Sequence, residues 1–511
     1  MASCKFGAVQ ALSRSSISVK PGTIFYVLVA LLATAPAWIV EHPPLQDLPF
    51  HIATLRLIHD HGNPAYGFAD VYRLNLLGTE YLLYYVVGDV LAFFVGVKAA
   101  NVLLMCAYLG GTPLALRELL RALHLDERLC IFAVPLAVNV MFCFGLLPFV
   151  AGFPLMFLAL AAAARHFEKP TRARGIALGV LAVVTFYTHV FPFALFGIGC
   201  IAMFPWKDPD RWVRTAAPLA LSLLLVAWWV LGSKAGGGAM EGLKNQHPFA
   251  PMDAAIEAFP RWSIHFLRDH SDEYWMVALA LVATASLGLS LGDRDGASPM
   301  ARGWFLLPAA CVLAYLTFGD MLGDVWMFGQ RFAVPALLTS IPLLRIPRGA
   351  RGVAVTAAAL GVAVASTVNT CKHFIEFERN EVGDLDGAIE SMQPRKHVAG
   401  LIFDRRSSVM TDLYAPFLHF VSYYQVEKGG VVQFAYTGFP HWPVQYEPGR
   451  FPPNTPLRLR WEWTPEQVSI GELYPYYDYV LTRGDGFRPP ASAFRPSFRS
   501  GRWTVWERVG P

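Results

Sequence analysis

Residues Leu129 to Ala164 read LCIFAVPLAVNVMFCFGLLPFVAGFPLMFLALAAAA and contain no charged side chain. A helix that crosses a bilayer needs roughly 20 apolar residues. The run is too long for one crossing, so we expect two short helices that turn near Gly145–Pro148. The run Gly175–Trp206 is either one long tilted helix or two short helices that meet near His189–Pro192.

The composition of the whole chain agrees with a membrane protein. Hydrophobic residues make up 54% of the 511 positions and charged residues only 16%, and the mean hydropathy is +0.39. A soluble domain normally carries about a quarter charged residues. Lipid must therefore replace water over much of the surface. The net charge of +4, with no basic stripe or tail, gives no case for a nucleic acid partner.

The remaining apolar runs predict a polytopic α-helical protein of about eleven spans. They lie at 21–40, 81–97, 99–116, 215–233, 274–292, 303–319, 325–344 (the weakest) and 352–371. The first run follows Lys5, Arg14 and Lys20, and we interpret it as an uncleaved span rather than a signal peptide. Residues 1–20 are then cytoplasmic, and the protein lies in the cell (inner) membrane.

Lysine and arginine in the loops set the predicted orientation. The basic loops after residues 206, 293 and 344 should be cytoplasmic, which puts loop 234–273 and everything after Cys371 outside. The clusters Arg117–Arg128 and Arg165–Arg174 are both cytoplasmic only if 81–116 crosses an odd number of times. Whether the number of crossings between residues 81 and 175 is odd or even stays open at this point. With either number, loop 41–80 and the C-terminal residues lie on the same outer face.

Loop 41–80 begins EHPPLQDLPFH, residues 41–51. Apolar residues recur at three- and four-residue steps from Asp47 to His61, which predicts an amphipathic helix on the membrane surface. Asp47 stands where an N-cap belongs, and His51 lies one turn later on the same side. The pair suits a general base and its orienting partner, or metal ligands. The alternative is a capping aspartate beside an interfacial histidine.

Further polar residues interrupt the apolar runs. His189 lies at membrane depth, where ionisable groups line a wet cavity or bond a neighbouring helix. Gln330 and Arg331 precede a short late span on the outer side, and a guanidinium there suits a lipid phosphate. Snorkelling to the interface is the alternative for Arg331. His265, in the outer loop after Trp262, is a weaker case of the same argument.

The chain after residue 371 changes character. Strand-like runs at His397–Phe403, Tyr479–Thr482 and Trp503–Val509 accompany a predicted helix at Ala415–Val426. We expect a small α+β extracytoplasmic domain. The predicted division is therefore a cytoplasmic N-terminus at 1–20, a transmembrane domain at 21–371 and a C-terminal domain at 372–511.

This order of parts resembles the GT-C superfamily of membrane glycosyltransferases. Gln46–His51 is similar to the Asp-x-Pro-x-His stretch of bacterial members. The other segments that carry the likeness are Phe142–Leu158 with Gly145, Gly152 and Pro154, Tyr187–His189, Tyr477–Leu481 and Gly501–Trp503.

The resemblance implies transfer of a sugar from a polyprenyl-phosphate donor to an extracytoplasmic acceptor. The first-loop acidic residue of the family is a catalytic base or helps bind a divalent metal, Mg²⁺ or Mn²⁺, and it maps onto Asp47. Many members carry a second acidic residue close by, whereas here Glu41 lies six positions earlier. A late outer arginine that holds the donor phosphate maps onto Arg331.

These arguments predict Asp47 and His51 as catalytic residues. The predicted substrate-binding residues are Arg331, Gln330, His189 and His265, and Asp47 is also the candidate metal ligand. The competing hypothesis is a non-catalytic membrane protein that binds or presents a lipid-linked glycan through its tryptophan-rich tail. A secondary transporter is less favoured, because the sequence lacks inverted repeats and paired broken helices. No motif identifies the sugar, the acceptor or the oligomeric state.

Overall fold

Apolar helices form most of the chain, and a β-rich domain follows them. The computed structural model describes residues 21–76, 79–291, 298–323, 325–433, 437, 439, 441–452 and 460–510. The predicted cytoplasmic N-terminus, residues 1–20, lies outside the described residues.

The α-helices of the described residues are α1 (Pro21–Trp38), α2 (Leu48–His59), α3 (Leu82–Val95), α4 (Val97–Ala122), α5 (Val134–Ala137), α6 (Val140–Cys143), α7 (Leu147–Glu168), α8 (Arg172–Thr188), α9 (Val190–Met203), α10 (Trp212–Ala216), α11 (Ala220–Gly232), α12 (Lys234–Lys244), α13 (Met252–Glu257), α14 (Phe259–Ser263), α15 (Ser271–Leu289), α16 (Leu306–Thr317), α17 (Ala333–Ser340), α18 (Gly349–Phe377), α19 (Leu385–Glu390), α20 (Ser422–Lys428), α21 (Arg460–Trp463) and α22 (Ile470–Leu473). The strands are β1 (Tyr72–Leu74), β2 (Met321–Leu322), β3 (Val325–Trp326), β4 (His397–Ile402), β5 (Val431–Val432), β6 (Val444–Tyr446), β7 (Tyr479–Arg483), β8 (Phe494–Ser500) and β9 (Trp503–Arg508).

Several helices are long and apolar enough to cross a membrane. Within the described residues there are six, Val97–Ala122, Leu147–Glu168, Pro209–Gly232, Ser271–Leu289, Met300–Thr317 and Gly349–Val382. Shorter apolar helices cover Gly22–Trp38, Leu82–Val95 and Val190–Met203. Large apolar side chains such as Leu224 and Leu231 point outward, as a lipid-facing surface requires. A helical membrane fold is confirmed, and the number of about eleven spans stays a prediction.

The first overlong apolar run breaks where the sequence predicted, and the second follows one of the two alternatives that the sequence left open. Gly145, at φ +81°, separates short helices from the 22-residue α7. The first half of the run is not one helix but a 3₁₀ turn followed by α5 and α6, because Pro135 and the capping Asn139 interrupt it. The second run divides at His189 into α8 and α9, which favours the two-helix alternative.

Contacts of helices α2, α3 and α4 bear on the open question of which end of the bundle carries the early basic clusters. Helix α3 lies along α2, where His59 Nδ1 is 2.8 Å from Asp89 Oδ1. Lys98, the second residue of α4, pairs with Glu41 at 3.1 Å on the same face. At the far end of α4, Arg165 pairs with Glu118 at 2.8 Å. The contacts favour a single crossing between 81 and 116, so both basic clusters lie at the end opposite loop 41–80.

Helix α2 exists as predicted, but its surroundings correct the prediction of a helix lying in lipid headgroups. Nine of its twelve residues are buried, because the C-terminal residues cover the side that the bundle does not. Arg56 Nε donates to Val426 O at 2.9 Å, and Trp442 Nε1 donates to Thr54 Oγ1 at 3.1 Å. Strand β1 of the loop also pairs antiparallel with β6 of the tail.

The C-terminal residues form a five-stranded sheet in the order β5-β4-β7-β9-β8. Strand β4 is parallel to β5 and β7, whereas β9 is antiparallel to β7 and β8. The predicted strands are confirmed as β4, β7 and β9, while the predicted helix is shorter, at Ser422–Lys428. Strand β8 was missed because most of its side chains are exposed, which leaves no alternating apolar pattern. Helix α18 continues past the predicted boundary at 371, and the three-part division stays a prediction.

Candidate active site

A cavity of about 570 Å³ lies where the first loop, the α6–α7 turn, the segment before α17 and the tail meet. This is within the usual size range of a small-molecule site, about 300–1,000 Å³. Most of its wall is aromatic or aliphatic. Its ionisable side chains are Asp47, His51, Tyr81, His189, Arg331, His419, His441 and Glu462. Four of the sequence-predicted site residues, Asp47, His51, His189 and Arg331, therefore line one cavity.

Asp47 is held in place by the α6–α7 turn. Its backbone N–H donates to Phe144 O at 3.1 Å, and the N–H of Gln46 donates to Cys143 O at 3.0 Å. Gly145 passes so close that an added Cβ would lie 2.6 Å from Asp47 N. The resulting fit requires glycine at position 145 on two grounds, because its φ of +81° also disfavours a side chain.

The Asp47 carboxylate is buried and does not cap α2 through its side chain. Its Oδ1 atom instead lies 3.2 Å from Gln46 Nε2 and 3.2 Å from His419 Nε2. Gln46 is anchored in turn, because its Oε1 accepts from the backbone N–H of Ala415 at 2.9 Å. Two donors thus converge on one carboxylate oxygen, and residues of the tail position both.

His419 stands between two carboxyl groups. Its Nδ1 atom lies 2.5 Å from Glu462 Oε1, and all three side chains are buried. Burial lowers the pKa of His419. Burial, reinforced by the charge of Asp47, raises the pKa of Glu462 well above its usual range. The raised pKa of Glu462 favours its uncharged, protonated form beside the imidazole, and Nε2 of His419 lies within hydrogen-bond distance of Asp47.

His51 has different partners. Its Nδ1 lies 2.7 Å from Tyr85 Oη, and its ring also bonds the backbone of Gly145. Burial lowers the pKa of His51 to about 4, so the ring is neutral at pH 7. The imidazole in direct contact with the Asp47 carboxylate comes from His419, a residue that the sequence argument did not select.

His189 begins α9 and faces the cavity. Its Nδ1 accepts from the backbone N–H of Phe191 at 3.0 Å, so the ring proton belongs on Nε2, which can then donate. The ring packs edge-on against Tyr81 and Phe149, with centroids 4.8 and 5.4 Å apart. The break between α8 and α9 therefore places one hydrogen-bond donor at membrane depth.

Arg331 lies in the cavity wall and is 9% exposed. Its Nε and Nη2 atoms donate to Trp326 O at 3.3 and 3.2 Å. The guanidinium also lies over the ring of Phe149, 5.5 Å from the centroid. A cation is thus held among aromatic rings in the same cavity as Asp47.

Two predicted substrate-binding residues do not line this cavity. Gln330 is buried, and its Nε2 donates to Asp320 Oδ1 at 3.0 Å. His265 lies beside Asp272 and Glu273 instead. Their substrate-binding roles stay predictions.

The sequence argument missed four cavity residues, namely Tyr81, His419, His441 and Glu462. A signal was present for two of them. His419 follows Phe417 and Leu418 in an aromatic stretch, and Glu462 stands between two tryptophans. An ionisable residue in so apolar a setting is buried only with a partner.

The resemblance implied a divalent metal ion at Asp47, and that role of Asp47 stays a prediction. Its nearest described neighbours are an amide and an imidazole that present N–H donors. Among the described residues, the groups of three or more histidine or acidic side chains with donor atoms within 4.8 Å of one another are His265–His270–Glu273 and Glu41–His42–Asp386. Groups that can hold an ion are present, but neither includes Asp47.

Comparison with known proteins identifies the fold. No protein-family model and no curated protein matches the chain. Among solved structures, the chain is similar to ArnT from Cupriavidus metallidurans in the apo state, with a TM-score of 0.51 and 10% sequence identity. The match covers 96% of this chain and 99% of that one. The likeness shows that the chain shares the overall fold of that protein.

Replacing Gly145 with alanine tests the contact between the α6–α7 turn and Asp47. We expect Gly145→Ala to destabilise the protein by about 1–3 kcal/mol, because the new Cβ enforces strain at positive φ and meets Asp47 N. The measurement is thermal unfolding in detergent. Gly197→Ala is the matched control, because a Cβ there meets nothing within 4 Å. Equal midpoints for the two variants would contradict the assigned contact.

Replacing Glu462 with glutamine tests its protonation. The raised pKa means that the folded protein keeps a proton that the unfolded chain releases near pH 4.5. This stabilisation is complete below the unfolded pKa and is lost as the pH rises toward the folded value. We expect Glu462→Gln to gain thermal stability over the wild type between about pH 5 and 8.

The exposed Glu466, replaced by glutamine, is the control for that series and should follow the wild type at every pH. A pH profile of Glu462→Gln parallel to that of the wild type would show that Glu462 is ionised in the folded protein.

Proposed function

We propose that this protein is a membrane glycosyltransferase that moves a sugar from a polyprenyl-phosphate donor to an acceptor hydroxyl on the Asp47 face. The observation that carries the proposal is the single cavity lined by both Asp47 and Arg331. A carboxylate and a guanidinium in one cavity supply a base for the acceptor and a cation for the phosphate. The GT-C fold agrees with a lipid-linked sugar as donor.

Asp47 is the proposed general base. It would take the proton of the acceptor hydroxyl as that oxygen bonds to the anomeric carbon of the sugar, while the bond from this carbon to the phosphate oxygen breaks. The phosphate leaves with the electron pair of that bond. Withdrawal of a carboxylate from water favours its taking up a proton, which suits a general base.

His419 is the proposed orienting partner of Asp47, a role that the sequence argument gave to His51. Nε2 of His419 lies 3.2 Å from the carboxylate, and Glu462 fixes the ring from the other side. His51 then has a supporting role, since it bonds Tyr85 and the turn at Gly145. No step of the proposed reaction requires a metal ion.

Arg331 is the proposed phosphate ligand. Negative charge builds up on the phosphate as the sugar leaves, and a fixed guanidinium in a water-poor cavity stabilises that charge. His189, with its proton on Nε2, is a second donor for the phosphate or a sugar hydroxyl. Trp442 and Trp463 also line the cavity and suit the apolar face of a sugar ring.

The proposed location is the cell (inner) membrane, with the cavity on the extracytoplasmic side. The positive-inside rule supports this orientation if the basic clusters at 117–128 and 165–174 lie at the end of the bundle away from loop 41–80. ArnT, with the same fold, is an undecaprenyl-phosphate-Ara4N transferase. A polyprenyl phosphate is accordingly the proposed lipid carrier here.

The Asp47→Asn and Arg331→Met variants separate catalysis from donor binding. We expect Asp47→Asn to bind undecaprenyl phosphate like the wild type but to transfer about 10²–10⁴-fold more slowly, because only the base is lost. We expect Arg331→Met to raise the Kd for undecaprenyl phosphate about 10- to 100-fold, because charge-assisted hydrogen bonds are lost. Binding is measured by native mass spectrometry, and transfer by release of polyprenyl phosphate from lipid-linked sugars extracted from the producing cells.

The control is Arg128→Met, which removes a guanidinium bonded to Asp126 at the other end of the bundle. It should leave both measurements unchanged. Full transfer by Asp47→Asn would eliminate the proposed base. A wild-type protein that binds the lipid but releases no polyprenyl phosphate would instead support the non-catalytic glycan-binding protein.

A further inference from the structure

Two histidines and a glutamate meet just before and at the start of α15, away from the cavity. His265 Nδ1 lies 3.2 Å from Glu273 Oε1, and His270 Nδ1 lies 3.3 Å from the same oxygen. The two imidazole rings stack with centroids 4.4 Å apart. Asp272 Oδ1 lies 3.7 Å from His265 Nδ1 but outside the group of three whose donor atoms all lie within 4.8 Å of one another.

These separations match those between the ligands of a tetrahedral metal ion. Zinc bonds to imidazole nitrogen and carboxylate oxygen at about 2.0–2.2 Å, so neighbouring ligand atoms lie about 3.3 Å apart. Two imidazoles with one or two carboxylates are also a ligand set that zinc prefers. Magnesium favours carboxylates, carbonyls and water instead.

The surrounding contacts orient the ligand atoms toward one another. His265 Nε2 lies 3.2 Å from Thr411 Oγ1, which can accept the ring proton and leave the Nδ1 lone pair facing Glu273. Histidine ligands of metals usually donate their other ring N–H in this way. Asp272 Oδ2 accepts from the backbone N–H groups of Phe266 and Leu267 at 2.6 and 2.7 Å, which holds the segment that carries His265.

The second group of potential ligands is committed to other partners. Glu41 pairs with Lys98 at 3.1 Å, and His42 Nδ1 lies 3.1 Å from Glu378. A resident ammonium group already supplies the positive charge there. The group at His265 has two imidazoles, and its exposed members, His270 and Glu273, leave one side open to an incoming ion.

We propose that His265, His270 and Glu273 bind a divalent transition-metal ion, Zn²⁺ by the chemistry of the donors. The site lies at the junction of the outer loop with the tail. Leu267 forms a bridge with Met410, and Arg268 Nη2 donates to Ser407 O at 2.9 Å. A bound ion would fasten this junction, so His265 serves the structure of the protein rather than its substrate.

The experiment measures zinc on full-length protein purified in detergent with a streptavidin-binding tag rather than a polyhistidine tag. After treatment with a chelator and addition of Zn²⁺, we expect one bound zinc per chain by inductively coupled plasma mass spectrometry, together with a higher thermal midpoint. His270→Gln and Glu273→Gln should lose the bound zinc and the rise in midpoint. Thr411→Val, which retains every ligand, should raise the Kd for zinc about 10- to 100-fold.

The matched control is His124→Gln. His124 has a positive φ of +57°, close to the +59° of His270. It lies 3.8 Å from a single carboxylate, Glu168, so its loss should leave zinc binding unchanged. Mg²⁺ in place of Zn²⁺ should not raise the midpoint. No stoichiometric zinc on the wild type, or equal zinc on His270→Gln and Glu273→Gln, would overturn the proposal and leave two histidines that share one carboxylate as an ion pair.

Discussion

The contact between His419 and Asp47 is the interaction on which the organisation of the site depends. A carboxylate withdrawn from water at a membrane boundary is costly unless donors surround it. The first loop carries Asp47 and supplies Gln46 as a neighbouring donor. The imidazole comes from a residue more than 370 positions later, so the tail must close over the loop before the carboxylate is satisfied. The helical domain and the tail together therefore form this site.

The covering of α2 follows from the same requirement. An amphipathic helix that lay in lipid headgroups would keep its polar side in water, and Asp47 with it. The tail prevents this by bonding to Arg56 and Thr54 and by pairing β6 with β1. Burial on both sides turns a surface helix into the floor of a cavity. It also explains the neutral state of His51, because burial lowers the pKa of this histidine to about 4.

Breaks in the membrane helices supply the rest of the site. Irregular backbone at membrane depth is tolerated where it lines a cavity and its polar groups find partners. At Gly145 the broken backbone accepts hydrogen bonds from residues 46 and 47 through Cys143 and Phe144. At His189 the side chain caps the next helix and turns its other nitrogen toward the cavity. Both positions that interrupt the apolar runs therefore adjoin the proposed chemistry.

Helical membrane architecture, the two helix breaks and three strands of the tail could be predicted from sequence, because apolar period, length and glycine or proline positions are local properties of the chain. Asp47, His51, His189 and Arg331 were also selected locally, since each is a polar residue at a membrane boundary or within an apolar run. The partners of Asp47 could not be selected in this way. His419 and Glu462 meet it only through packing of the tail, and a second carboxyl group beside Asp47 was sought in the first loop, whereas the nearest one across His419 comes from residue 462. Sequence spacing determines which side chains share a helix face, but contacts between segments hundreds of residues apart depend on how the whole chain packs.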